Sequence, residues 1–265
     1  MTAGGPLSAS PSTLGQRMAG SPRIAFDLGG SWASFAHPDI SRSGPQSLAS
    51  DERSLITGMR LSGVAGIFDG FSVVPGVGGV LGLDVVTSVQ LVRVPGSPAA
   101  SGSKVGWGGG VRVGLLRESF SLPGVTVSGV YQRAGGLGFG TSEGAGSFAL
   151  IRPSVTSLRF IVGKDLWPVG LSVGAGWDRY RGDGRIEARV EEGGGGIVEG
   201  VGAGDLSMNR KHLFAGANFT WLVTQLTVEV GWARDGSPLV DLVGTGPFRA
   251  GGTGLNGALT FRFTY

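Results

Sequence analysis

From residue 255 to the end, the chain alternates. Leu255, Gly257, Leu259, Phe261, Phe263 and Tyr265 share one parity, and Asn256, Ala258, Thr260, Arg262 and Thr264 the other. Successive side chains of a strand point to opposite faces, so this spacing predicts a strand with one apolar and one polar face. The same split recurs upstream. Leu226, Val228, Val230 and Trp232 oppose Thr227, Glu229, Gly231 and Ala233. Leu213 to Trp221 and Val169 to Trp177 repeat it, with Asp178 continuing the polar parity of the latter. Shorter versions surround Arg159, Arg112 and Asp27. Segments 55–66, 82–95 and 123–135 complete a set of about ten strands, within a range of roughly 8–12 for a small closed barrel. The least regular stretch is 67–81, where Val74-Pro75-Gly76-Val77-Gly78-Gly79 reads equally as a turn, a bulge or an inward-folded segment. Asp183-Gly184 is a tight-turn signal. A reversal there would flip every later strand, so one long strand over about 168–192 is expected instead.

Composition narrows the class. Apolar residues are 41% of the 265, yet no run reaches the ~18 consecutive apolar residues of a spanning helix. The apolar residues must therefore be buried in a soluble core or face lipid on alternate strand positions. The 52 glycines follow no G-X-Y period, and at this density they argue against long helices. The net charge of +3 is spread over isolated arginines, which excludes a nucleic-acid footprint. Residues 1–21 are Gly, Ser, Pro and Ala without periodicity. They are expected to form a flexible or inward-folded arm ahead of a barrel domain at 22–265. Met1–Ser21 lacks a basic stretch followed by an apolar one, so it is not a signal peptide.

The ending Leu259-Thr260-Phe261-Arg262-Phe263-Thr264-Tyr265 resembles the last strand of bacterial outer-membrane β-barrels, with its alternating apolar residues and terminal aromatic. The resemblance covers 22–265 in pattern and only the last strand in motif. It implies an all-β, closed, antiparallel, up-and-down transmembrane barrel in the outer membrane. Its partners would be the lipid bilayer and, through the last strand, the barrel-assembly machinery. A signal peptide, absent from this chain, would be expected of such a protein. Connection lengths agree with the resemblance. Short ones fall at 118–123, 164–168 and 222–224, and longer Gly-rich ones at 36–54, 136–152, 193–209 and 235–252. Counting back from a periplasmic Tyr265 puts all three short turns in the periplasm, where such barrels have them. The same directions place Trp32, Trp107, Tyr131, Trp177 and Trp232 near the extracellular strand ends, and Trp167, Trp221, Phe263 and Tyr265 near the periplasmic ends. All lie on the apolar parity, as two interfacial girdles require.

The sequence offers little chemistry. Only His37 and His212 are present. His212 falls near an extracellular strand end, where Asp178 and Asp183 are within reach if their strands are neighbours. No local motif marks a nucleophile, so the expectation is a non-enzyme. Without Cys, and with two distant His, no metal site is expected. Glu191-Glu192 before four glycines reads as a solvated loop. The Gly clusters precede no helix and no Walker lysine, so no nucleotide cofactor is expected. More informative are the charges on the polar parity: Asp27, Arg60, Arg112, Arg159, Asp178, Glu229 and Arg262 are expected to face the lumen. Arg262 and Glu229, on adjacent strands near the periplasmic end, are placed where they could pair. If the arginines line open water, the barrel is a narrow or plugged pore for small anionic solutes. If carboxylates pair them, it is a non-transporting anchor or a surface-binding barrel whose extracellular loops hold a protein partner.

Overall fold

The computed structural model describes residues 10–16, 20–38, 51–72, 80–93, 103–140, 147–191, 197–236, 239–242, 246–249 and 253–265. Strands β1 (Arg23–Pro38), β2 (Asp51–Phe68), β3 (Gly82–Arg93), β4 (Ser103–Leu116) and β5 (Gly124–Ala134) follow one another as antiparallel neighbours. A short β6 (Leu137–Gly140) continues the β5 edge along β7 (Ser147–Leu166). Then come β8 (Val169–Glu191), β9 (Ile197–Trp221) and β10 (Thr224–Gly236), again neighbours in chain order. A hairpin of β11 (Leu239–Leu242) and β12 (Gly246–Arg249) stands apart from this sheet. The last strand, β13 (Thr253–Thr264), joins β10 to β1, and β5 pairs with β7, so ten strands close into a ring. Closure removes the free edges of an open sheet and pairs the backbone groups that lipid could not solvate.

The parity read from the sequence sorts the two faces. Phe26, Leu28, Leu61, Val89, Leu171, Val173, Val228, Leu259 and Phe261 point outward and are exposed around the ring. Water does not tolerate a continuous apolar belt of this kind, and lipid does. Its height fits. Tyr265 exchanges backbone hydrogen bonds with Ile24 at one end. From there to Trp32, the chain rises by about 20 Å, taking ~3.3 Å per residue and a tilt of ~40°, against an apolar band of ~25 Å.

The short turns lie at the Tyr265 end. β7 and β8 are joined through Trp167 and Pro168, β9 and β10 through Leu222 and Val223, and β4 and β5 through 117–123. The longer 69–81 connection also lies there, with a bridge between Phe71 and Val80; residues 73–79, which hold most of the Gly-rich run, are outside the described residues. β8 runs straight through Asp183-Gly184. All four expected loops carry strand in part: 36–54 includes the end of β1 and the start of β2, and 136–152 includes β6 and the start of β7. Residues 197–209 are the outer half of β9, registered against β8 from Val169↔Phe219 to Glu191↔Ile197, and 235–252 contains the β11–β12 hairpin. Beyond the bilayer both strand faces meet water, so the apolar alternation that marks a membrane strand is absent there. β7, β8 and β9, with β6 along the β7 edge, thus project together well past the extracellular girdle.

Candidate functional site in the barrel lumen

The inward positions of the ten strands carry the charge. Asp27 on β1, Arg60 on β2, Arg112 on β4, Arg159 on β7, Asp178 on β8, Glu229 on β10 and Arg262 on β13 are all buried. Two further buried charges complete the set, Asp84 on β3 and Arg210 on β9. Asp84 lies in a strand whose inward parity is otherwise Val and small polar residues, and Arg210 lies beside a stretch read as loop. Parity along β3 (Asp84, Ser88 and Gln90 against Val85, Val89 and Leu91) was the signal available for the first.

The charges are organised as pairs. Arg262 holds Asp27 by two parallel bonds, Nε to Oδ1 at 2.6 Å and Nη2 to Oδ2 at 2.9 Å. Arg112 donates to Asp84 Oδ2 from Nε at 2.9 Å and Nη2 at 2.6 Å. Both pairs join residues directly opposite in register, Asp27↔Arg262 and Asp84↔Arg112. The third crosses the lumen: Arg159 Nη2 on β7 donates to Glu229 Oε1 on β10 at 2.8 Å, three strands away around the ring. The Arg159 guanidinium also lies 3.8 Å over the centre of the Phe214 ring, a cation–π contact that fills the middle of the barrel. Gly174 makes room for Phe214, because a Cβ there would overlap the ring.

The Arg262–Glu229 contact therefore does not form. In register Glu229 lies opposite Ala258, four residues along β13 from Arg262, an offset of roughly 13 Å at ~3.3 Å per residue. Each side chain takes a nearer partner. Arg60 differs from the other arginines. It faces the charges of Arg159, Asp27 and Glu229, but Nε, Nη1 and Nη2 are all buried and donate to nothing among the described residues.

Nearer the extracellular end, His212 Nδ1 lies 3.4 Å from Asp178 Oδ2, which also accepts from the Tyr180 hydroxyl at 3.3 Å. Gly176, opposite His212 in register, leaves the space the imidazole occupies. Asp183 does not join them; it sits on the outward parity and is exposed. The side chain of His37 is outside the described residues, as are those of Glu191 and Glu192.

The periplasmic mouth is occupied by the chain itself. Residues 10–16 lie inside it. Leu14 N–H donates to both oxygens of Asp84 at 3.1 Å, and Thr126 Oγ1 donates to the Ser10 carbonyl at 3.1 Å. Asp84, 0% exposed, thus binds the segment and Arg112 together. The wall is cut back to receive the segment. A Cβ at Gly66 would overlap the Gly15 backbone, one at Gly82 would come 2.7 Å from Thr13 Oγ1, one at Gly124 2.6 Å from the Pro11 carbonyl oxygen, and one at Gly163 2.9 Å from Pro11 Cβ. Four inward glycines on four strands form a socket that no larger residue permits.

Outside, the aromatic residues form two rows. Trp32, Trp107, Tyr131, Trp177 and Trp232 are exposed toward the extracellular end, with Trp107 and Tyr131 edge-on at 6.2 Å. Trp167, Trp221, Phe263 and Tyr265 are exposed at the other. A closed even-stranded antiparallel ring, an apolar belt edged by aromatics at both rims, and short turns at one end are the architecture of outer-membrane barrels. The chain has the fold of a bacterial outer-membrane β-barrel. In fold it is similar to the outer membrane protease OmpT from Escherichia coli, at 12% identity over 97% of this chain and 100% of that one, TM-score 0.46. It is similar also to the translocator domain of the autotransporter NalP from Neisseria meningitidis, at 9% identity over 92% of this chain and 88% of that one, TM-score 0.49. Neisserial surface protein A (NspA) is 9% identical over 91% of this chain and 97% of that one, TM-score 0.35. These likenesses assign no activity. No family model and no curated protein matches the chain.

Proposed function

We propose that this protein is a non-conducting barrel that anchors the β7–β9 extension in the outer membrane and presents it for contact with a partner outside the cell. The observation that carries this reading is the pairing in the lumen. Arg112, Arg159 and Arg262 each bond a carboxylate, and the Arg159–Glu229 pair crosses the bore. An anion path would need those guanidinium groups facing water. A ten-stranded ring is only slightly wider than the eight-stranded kind that side chains fill, and here residues 10–16 also occupy its periplasmic mouth. Planar-bilayer recording of the refolded protein tests the proposal. It should be silent, with folding verified by altered gel mobility before and after heating. Discrete conductance steps from the wild-type chain would overturn it.

A gated anion path is the second reading. Arg60 favours it, being a buried cation with no hydrogen-bond acceptor among the described residues. On that reading, removing residues 10–16 opens discrete anion-selective steps; on the first, the truncated barrel stays silent because the pairs above still close it. No hydrolytic role is assigned to His212. Its Asp178 partner is hydrogen-bonded to Ser157 and Tyr180, which leaves Ser157 turned toward the carboxylate and not toward the imidazole. Any hydrolytic activity abolished by His212→Ala would overturn that assignment.

A further inference from the structure

Among the described residues, five arginines and four carboxylates are buried in the lumen. Three of the carboxylates, Asp27, Asp84 and Glu229, each bond an arginine. The fourth, Asp178, stands opposite Arg210 in register and accepts from the Tyr180 hydroxyl. Arg60 is left over. Its three guanidinium nitrogens are buried and donate to nothing among the described residues. Asp27 and Glu229 act on it, but those charges are bonded to Arg262 and Arg159, and Arg159 itself repels it. A charge held away from water without compensation is strongly unfavourable.

The wall around Arg60 has room and further donors. Gln90, Arg60, Gly29, Thr260 and Thr227 follow one another in register across β3, β2, β1, β13 and β10, all on the inward parity. Gly29 lies between Ile24, at the periplasmic end, and Trp32, at the extracellular girdle, so Arg60 opposite it sits at membrane depth. Gly29 presents no side chain beside Arg60, and a Cβ there would lie 3.2 Å from Thr260 Oγ1. The Thr227 hydroxyl is buried and has no partner among the described residues. Gln90 Oε1, also buried and unbonded, can accept an N–H of Arg60 but brings no charge. A water molecule has the same shortcoming.

We infer that Arg60 holds one small monovalent anion of the halide class inside the lumen, with the Thr260 and Thr227 hydroxyls as further donors. One surplus cation calls for one negative charge. A divalent anion such as sulfate would exchange a surplus positive charge for a surplus negative one, and stripping its water costs far more. A guanidinium bonds an anion through charge-assisted N–H donors, and that attraction is strongest where water is excluded. The ion is a fixed component of the barrel interior and does not permeate, so the inference rests on the closed lumen proposed above.

The test unfolds the full chain from vesicles in urea while chloride replaces sulfate at constant ionic strength. Sulfate is excluded from protein surfaces and stabilises folded proteins generally, so a general salt effect makes this exchange destabilising. An occupied site works the other way. With a Kd of ~10 mM or tighter, it shifts the wild-type unfolding equilibrium toward the folded state at least about tenfold between ~1 and ~100 mM chloride, relative to R60M. The gain should saturate, and R117Q, altered at an exposed periplasmic turn, should keep it. Wild-type crystals grown in bromide test the site even if R60M fails to fold: an anomalous peak is expected at the Arg60 guanidinium. Equal chloride responses from wild type and R60M, or a bromide map without that peak, would each overturn the inference. Conductance keeps the two readings apart. A silent barrel that ignores chloride overturns the anion site alone, whereas a conducting barrel with a saturable, Arg60-dependent response upholds the site and overturns the closure.

Discussion

Asp84 joins the N-terminal segment to the barrel wall, and replacing it with Asn isolates what its charge contributes. The side chain is 0% exposed and accepts four hydrogen bonds, two from Leu14 N–H and two from Arg112. Asparagine preserves the shape and one oxygen acceptor. It removes the charge and turns an amide donor toward either Leu14 N–H or the Arg112 guanidinium. Arg112 then remains buried without its carboxylate, with the positive charge of Arg262 still acting on it. Removing one partner of a buried pair costs about 3–5 kcal/mol, most of it the uncompensated charge. The expected loss for Asp84→Asn is in that range. Arg112→Met leaves the opposite charge behind and costs a similar amount. In D84N/R112M neither charge is left, so the double variant should fall short of the sum by roughly 2 kcal/mol or more. Urea unfolding from vesicles, followed through the six tryptophans, gives the three free energies. Hydrogen exchange at Leu14 gives a local readout, which should quicken in D84N before the strands loosen. Additivity within ~0.5 kcal/mol, or unchanged exchange at Leu14, would refute the reasoning.

Three further outcomes follow from the geometry. Gly66→Ala places a methyl group on the Gly15 backbone and should cost ~1–3 kcal/mol while speeding hydrogen exchange of residues 11–15. Burial holds the Glu118 carboxyl above its ordinary value of 4.5, against the hydrogen bond it accepts from Asp165 N–H. The folded state therefore keeps its proton longer than the unfolded one, and stability falls as pH rises from about 4.5 through the raised value. Glu118→Gln, which keeps a carbonyl acceptor, should flatten that fall in a pH series of unfolding midpoints. Trp32, Trp107, Trp177 and Trp232 should be quenched more strongly by lipid brominated near the carbonyl than by lipid brominated at the chain end, and the reverse order would move the girdle into the bilayer core.

The membrane-spanning part of the fold was legible because lipid outside and a polar lumen inside impose opposite demands on alternate residues. Leu259, Phe261 and Phe263 against Thr260, Arg262 and Thr264 carry that demand without interruption. Three things were not legible, for separate reasons. The outer half of β9 meets water on both faces, so nothing in 197–209 had to alternate. Ion-pair partners depend on register, which parity does not give: Arg262 and Glu229 share the lumen, and Asp27 lies closer to the arginine by four residues of β13. For residues 1–21 the sequence left a flexible and an inward-folded arm open; the seating of 10–16 is carried largely by backbone amides and carbonyls against glycines, which leave no side-chain pattern to choose between them.

The four glycines of the socket also bear on how the ring keeps its shape. They come from β2, β3, β5 and β7, so the first half of the barrel is curled around its own beginning. Seated there, residues 10–16 tie those walls together at one spacing, and the chain leads from them into β1, the strand that β13 pairs with to close the ring. The seam where the two ends of the chain meet is thereby braced from the inside, by a peg that belongs to one of the two ends.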